Sequence, residues 1–391
     1  MNTLSTSKRL LTNTSLRLAT VVIFSAIGPL VLLVAPALAS RYIVELGLST
    51  QQVGFLFTME LGAMAVATLP AYFMMKRLSW RRIALWAAVV FILGNLLTAV
   101  LLHGNQPLYV LLLVVRFVSA FAEACLVLVC MGTAATLANT ARAFGLWVSG
   151  QLVLAAVSLH FMPRLFEHGG AASFFLLMAI VTTFCFPLVF SLPAQGTVHD
   201  VRKPAAGDSG ITAKASLGML AIFLFYLSLS GIWTFVGELA TRHAIAATDS
   251  AGALATATLM GIVGALIATW VGHRGPRTLL VAFGFALMGS SLLGLLGDLT
   301  LMRYVIAACV FKFAWTYTLP FLMTAISEHD HQGGRLVVLS NLAICGGLAI
   351  GPSFAARLLG EQSNYSGLLW TSVGLCGASF LAIAPLTVRM R

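Results

Sequence analysis

Long apolar runs and short polar breaks alternate along the chain. Runs fall at roughly 17–39, 51–75, 82–103, 107–135, 143–167 and 171–192. After a polar stretch from Pro193 to Lys214 they resume at roughly 216–241, 250–271, 278–297, 302–326, 335–359 and 366–388. A helix needs about 20 apolar residues to cross about 30 Å of hydrocarbon, and the runs are of that length. The pattern predicts an all-α membrane protein of twelve transmembrane helices. The central polar stretch divides it into two six-helix halves, 17–192 and 216–388, joined by a cytoplasmic linker at 193–215. Short tails at 1–16 and 389–391 complete the organisation.

Composition changes the picture only by excluding alternatives. Of 391 residues 59% are hydrophobic and 9% charged, against roughly 25% charged in a soluble domain. So few charges cannot cover a water-exposed surface of this length. The net charge of +11 would suggest nucleic acid in a soluble protein. Here the basic residues sit in short loops beside apolar runs, where they set orientation, and no nucleic-acid partner is expected.

With the N-terminus in the cytoplasm, the cytoplasmic side holds Lys8, Arg9, Arg17, Lys76, Arg77, Arg81, Arg82, Arg142, Arg202, Lys203, Lys214, Arg274, Arg277, Arg335, Arg389 and Arg391. The outer side holds Arg41, Arg164, Arg242, Arg303 and Arg357. This is the positive-inside bias, and it places both termini in the cytoplasm of an inner membrane. The first run is of span length with no cleavage site ending a shorter one, so it reads as a retained helix. The six cysteines lie scattered in apolar runs with no CxxC pair, which reads as buried packing rather than disulfides or a metal site.

The halves also resemble each other at an offset near 200. Thr58–Gly62 faces Thr258–Ile262, Ala67-Thr68 faces Ala268-Thr269, and Arg116-Phe117 falls against Lys312-Phe313. Arg142 and Arg164 match Arg335 and Arg357. Repeated halves are a common plan for membrane transporters.

Ionisable groups deep in a span are costly and are candidate functional residues by default. From the outer end, Glu60 lies about 14 Å into the second helix, Arg116 about 13 Å into the fourth and Lys312 about 15 Å into the tenth, at 1.5 Å per residue. Glu123 follows Arg116 by two turns on the same face. All four are expected to face a shared interior. A carboxylate whose surroundings dry out and rehydrate beside a cation can exchange a proton, so Glu60, Arg116 and Glu123 are candidates for proton coupling. The competing reading is a permanent ion pair of Arg116 with Glu60 or Glu123 that locks helices together. Lys312 has no obvious acidic partner within its own half. It is a candidate for an anionic group on a solute, or for a pair with Glu60 or Glu123.

Lys312, Trp315 and Thr316 share a helix face by their spacing. Trp147 and Gln151 lie one turn apart in the fifth helix, Tyr226 and Trp233 two turns apart in the seventh, and Asn341 lies in the eleventh. Aromatic residues with polar tips suit a solute pocket, and lateral packing is the alternative for each. Glu238 and His160, nearer the outer ends, read as gating or solvated groups. Clustered Gly261, Gly264, Gly346, Gly347 and Gly351 suit close helix crossings, with Pro352 permitting a bend. No GxSxG, HExxH or phosphate loop is present, so no enzyme activity and no cofactor are expected. His329-Asp330-His331 reads as a solvated cytoplasmic loop, with weak metal binding as the alternative.

The loop after the second helix, LPAYFMMKRLSWRRIAL, resembles the major facilitator signature G-x-L-A-D-R-x-G-R-R. Arg77, Arg81 and Arg82 match its basic positions, while Lys76 and Ser79 replace its Asp and second Gly. The second-half counterpart VGHRGPRTLL keeps Arg274, Gly275 and Arg277. Helix four, LVVRFVSAFAEA, is similar to the family's R-x-x-x-G-x-G, with Arg116 in place and alanines for the glycines. The fifth helix lacks the exporters' G-x-x-x-G-P. The resemblance covers the chain from about residue 17 onward. It implies a bacterial twelve-helix protein of the drug/metabolite–proton antiporter kind, with two pseudo-symmetric six-helix bundles and gating loops at the five arginines. It also implies a role for Arg116 in proton coupling or solute binding.

The expectation is thus a monomeric secondary transporter of a small organic solute, proton-coupled and working by alternating access within the lipid bilayer. Alternatives are a multidrug or metabolite efflux antiporter, an organic-anion importer and, from another class, a non-transporting sensor or scaffold.

Overall fold

The computed structural model describes residues 2–103, 108–137, 139–194, 213–272, 274–327, 335–360 and 364–387. Most of the linker, the His329-Asp330-His331 trio and the C-terminal tail lie outside them. The described residues are helical, with no strand among them.

The first span is three helices, α1 (Asn2–Ile27), α2 (Leu30–Leu33) and α3 (Ala35–Leu46). Pro29 causes the first break, since it has no N–H for the helical ladder. The helix begins at Asn2, inside the stretch read as a tail, because neither Gly nor Pro stops it there. Next come α4 (Thr50–Arg77), α5 (Trp80–His103) and α6 (Tyr109–Ala135). Helix α7 (Thr140–Cys185) has 46 residues, about 69 Å at helical rise, far more than one crossing needs. It turns at Gly169 and Gly170, where φ of Gly170 is +59° and ψ −159°, a conformation open essentially to glycine alone. Ser173 Oγ donates there to the Leu165 and Gly170 carbonyls at 2.9 and 2.6 Å. Spans five and six are therefore the two arms of α7. A 3-10 turn, Phe186–Ser191, ends the sixth.

The remaining spans are α8 (Ala213–Arg242), α9 (Ala247–Val271), α10 (Arg277–Gly294), α11 (Leu301–Ser327), α12 (Arg335–Leu359) and α13 (Tyr365–Thr387). Among the described residues, ten helical segments are long and apolar enough to cross a membrane, one of them running from Arg142 to Ser191. Dividing that one and adding the broken first span accounts for twelve crossings. The chain is a multi-pass membrane protein.

Two compact units emerge. One comprises Met1–Val34, Ala63–Ala155 and Arg164–His199. Its core gathers Val21 and Phe24 of α1, Ala67 and Ala71 of α4, Trp80 to Ala88 of α5, Ala124 to Ala134 of α6, and Trp147. The other comprises Ala35–Gly62, Ala156–Pro163 and Asp200–Arg391. Within it α8 packs against α3, α12 and α13, and α11 against α9 and α10. What the spans expose is apolar, as at Phe184, Trp86, Trp270 and Leu381, the surface lipid requires.

Candidate functional site

All four deep ionisable residues are withdrawn from the lipid. Glu60 is 3% exposed, Arg116 0%, Glu123 1% and Lys312 1%.

In the first unit, Arg116 of α6 donates from Nη1 to Asn95 Oδ1 of α5 at 3.0 Å. Its guanidinium lies 4.5 Å from the centroid of the Phe175 ring on the second arm of α7. Asn95 is aimed by its own Nδ2, which donates to the Phe91 carbonyl at 2.8 Å. The Asn95 hydrogen bond and the Phe175 ring face bring α5 and the second arm of α7 to this planar cation, contacts that a guanidinium suits. Asn95 and Phe175 escaped the sequence reading. An isolated Asn in the apolar third span was the available signal, whereas Phe175 is one phenylalanine among many.

Glu123 lies two turns along α6, beside the break in the first span. A Cβ placed on Gly28 would meet Glu123 Oε1 at 3.2 Å and Val127 Cγ2 at 2.6 Å. The carboxylate therefore rests against backbone bared by Gly28. Broken helices of this kind expose backbone polar groups to a site.

Gln151, on the first arm of α7, donates from Nε2 to the Ser25 carbonyl at 3.0 Å. In an unbroken helix residue 29 would donate to that carbonyl, and Pro29 cannot. Trp147, one turn earlier, is buried in the apolar core with its ring tilted on Phe144 at 5.9 Å.

The second unit repeats the device. Pro352 in α12 leaves the Leu348 carbonyl without its amide, and Ser230 Oγ of α8 donates to it at 2.8 Å. The first and fifth spans make the pair in one half, the seventh and eleventh in the other, with proline and donor exchanged.

Lys312 of α11 stands between two indoles. Its Nζ lies 3.7 Å from the Trp233 ring centroid and 4.0 Å from that of Trp315. Phe311 stacks on Trp233 at 6.2 Å with planes 6° apart and meets Trp315 edge-on at 6.3 Å. Tyr226 meets Trp315 edge-on at 6.4 Å. Of the residues on this helix face, Thr316 turns elsewhere, donating to the Gly261 carbonyl of α9 at 2.6 Å. Asn341 is exposed on α12. Glu60 is buried in the part of α4 that belongs to this unit.

The signature loop is strapped rather than free. Arg81 Nε donates to the Leu192 carbonyl at 2.9 Å, and the Trp80 amide to the Ala194 carbonyl at 3.0 Å. Arg17 Nε donates to Ser191 at 3.1 Å. Arg77 and Arg82 are exposed. In the counterpart loop, exposed Arg274 covers the Trp270 ring at 4.5 Å, and Arg277 is half-buried.

A family model described as the Major Facilitator Superfamily matches residues 18–352. The chain belongs to that superfamily. Two solved transporter structures share the major facilitator fold. One is a bacterial homolog of the human lysosomal transporter Spinster, in an inward-facing and unoccupied conformation. It is 15% identical, with 96% of each chain covered and a TM-score of 0.71. The other is the nucleoside transporter NupG, 10% identical, with 95% of this chain and 99% of that one covered and a TM-score of 0.74. No curated protein sequence matches the chain. A major facilitator protein is a secondary transporter of small solutes and not an enzyme. The likeness to solved structures, at such identity, fixes the fold and leaves the solute open.

Proposed function

We propose that this transporter moves a small organic solute by proton-coupled alternating access. It acts as a monomer in a bacterial inner membrane, with both termini in the cytoplasm. Glu60 and Glu123 exchange the coupling proton, Arg116 sets the charge felt by Glu123 on the same helix, and Lys312, Trp233, Trp315 and Tyr226 contact the solute. The bundles 17–192 and 216–388 are the moving parts. Gln151, Thr316 and Trp147 support the site, because their polar groups or rings are committed to backbone carbonyls and core packing. Asn341, exposed on α12, is a further contact for the solute.

The observation that carries this reading is the burial of all four ionisable residues in spans that otherwise expose apolar side chains. Charges are retained at such depth where they serve transport of ions or solutes. Packing within the second unit supports the alternating-access part. There Thr58 Oγ1 of α4 accepts from the Ser353 amide of α12 at 3.2 Å, and Gly62 faces Ala349. Small residues at this end, away from the basic loops, suit a gate that closes and reopens.

The test is proton movement in proteoliposomes loaded with a pH-sensitive dye. Adding a transported solute to de-energised vesicles is expected to shift the internal pH. Solute flux without any pH change would reject coupling.

A further inference from the structure

The surroundings of Lys312 narrow the chemistry of the solute. Its ammonium is buried, and its close partners among the described residues are two indole faces. Those faces attract a cation through the ring quadrupole, yet they carry no formal negative charge and leave the ammonium protons without a strong acceptor. A desolvated ammonium is stabilised far better by a counter-anion that also accepts its hydrogen bonds. The two indoles are themselves fixed by neighbouring rings. Trp233 is held flat against Phe311, and Trp315 is fixed edge-on by Phe311 and Tyr226.

We propose that the Trp233–Lys312–Trp315 cage binds the carboxylate of the transported solute, and that the solute is a small organic monoanion with an apolar body. The proposal rests on the transporter reading and deepens it by naming the solute class. Charge decides for a monoanion. One ammonium, a compact point charge, neutralises one carboxylate and leaves the occupied site neutral at mid-membrane depth. A phosphate dianion would leave net charge there, at the cost that makes buried charge rare. The rings of Phe311, Trp315 and Tyr226 offer the apolar contact that the rest of such a solute needs.

Binding is readable from the site itself, because an anion drawing Lys312 away from two indoles changes tryptophan emission. The purified full-length chain is titrated with benzoate and hexanoate, with benzamide and hexanamide as uncharged isosteres, and with benzylamine. The carboxylates are expected to give a saturable fluorescence change that the amides and the amine do not give. Lys312→Met is expected to weaken carboxylate binding by about tenfold or more, equivalent to the loss of one 1.4 kcal/mol interaction. Lys312→Arg is expected to keep part of it. Equal responses to amides and carboxylates, no response to the carboxylates, or an unchanged response in Lys312→Met would overturn the proposal. Should Lys312→Met not accumulate, the carboxylate–amide comparison on the unaltered chain decides. Counterflow in proteoliposomes separates the two levels. Flux of an amide or amine with no carboxylate response sinks the anion class and leaves transport standing. A carboxylate response with no flux of any solute upholds the anion site and sinks transport.

Discussion

Gln151 supplies to the Ser25 carbonyl, across 3.0 Å, the proton that Pro29 lacks. A buried acceptor left without a donor costs about 1–3 kcal/mol. Gln151→Leu is therefore expected to lower stability by that amount, read as a fall in melting temperature in detergent. In a Pro29→Ala background the loss shrinks, because the alanine amide can close the helical bond. A double-mutant cycle on the melting temperatures checks this. Additive effects would mean that the amide serves something other than the freed carbonyl. Ser230→Ala with Pro352→Ala is the same experiment in the second half.

Asn95 is the hydrogen-bond partner that the sequence did not single out for Arg116. Asn95→Leu removes an acceptor from a buried guanidinium and is expected to cost about 1–3 kcal/mol. Arg116→Lys is not conservative here, because an ammonium gives up the planar contact with Phe175. Melting curves of both variants are expected to fall below that of the parent, and an unshifted curve for Asn95→Leu would remove Asn95 from the site.

Gly28→Ala drives a Cβ to within 2.6 Å of Val127 Cγ2. Overpacking of this kind costs about 1–3 kcal/mol. Val127→Ala vacates that space and is expected to recover part of the loss when combined with it. Failure of the recovery would point to the 3.2 Å approach to Glu123 Oε1 as the tighter restraint.

Much of the fold was legible in the sequence because lipid imposes one simple demand, a long apolar run for each crossing. The turn between spans five and six showed as the break between the runs 143–167 and 171–192, although the glycines that make it, Gly169 and Gly170, were not singled out. The break in the first span did not, since an apolar run reads through Pro29 unless its missing amide is followed back to Ser25. Depth marked Glu60, Arg116, Glu123 and Lys312 for burial, because a charge in an apolar run has few other places to go. Their partners were not visible. Phe175 and Trp233 lie on other helices, and no spacing rule links them to Arg116 and Lys312. Gln151 and Thr316 looked like solute ligands by residue type. The carbonyls they serve, at Ser25 and Gly261, belong to neighbouring spans and appear only in three dimensions.

The arginines of the signature loop are expected to differ in weight. Arg81 holds the end of the sixth span through Leu192, so Arg81→Ala is expected to cost about 1 kcal/mol. Exposed Arg82→Ala is expected to stay within about 0.5 kcal/mol of the parent. Melting temperatures of the two variants side by side check the contrast.

The central claim is that acids buried in the spans carry the coupling proton. The most direct measurement compares pH-gradient-driven accumulation with solute counterflow in proteoliposomes bearing Glu60→Gln, Glu123→Gln or both. The account predicts that counterflow persists while gradient-driven accumulation is lost in at least one single variant and in the double. Accumulation that still follows the pH gradient in the double variant would contradict it.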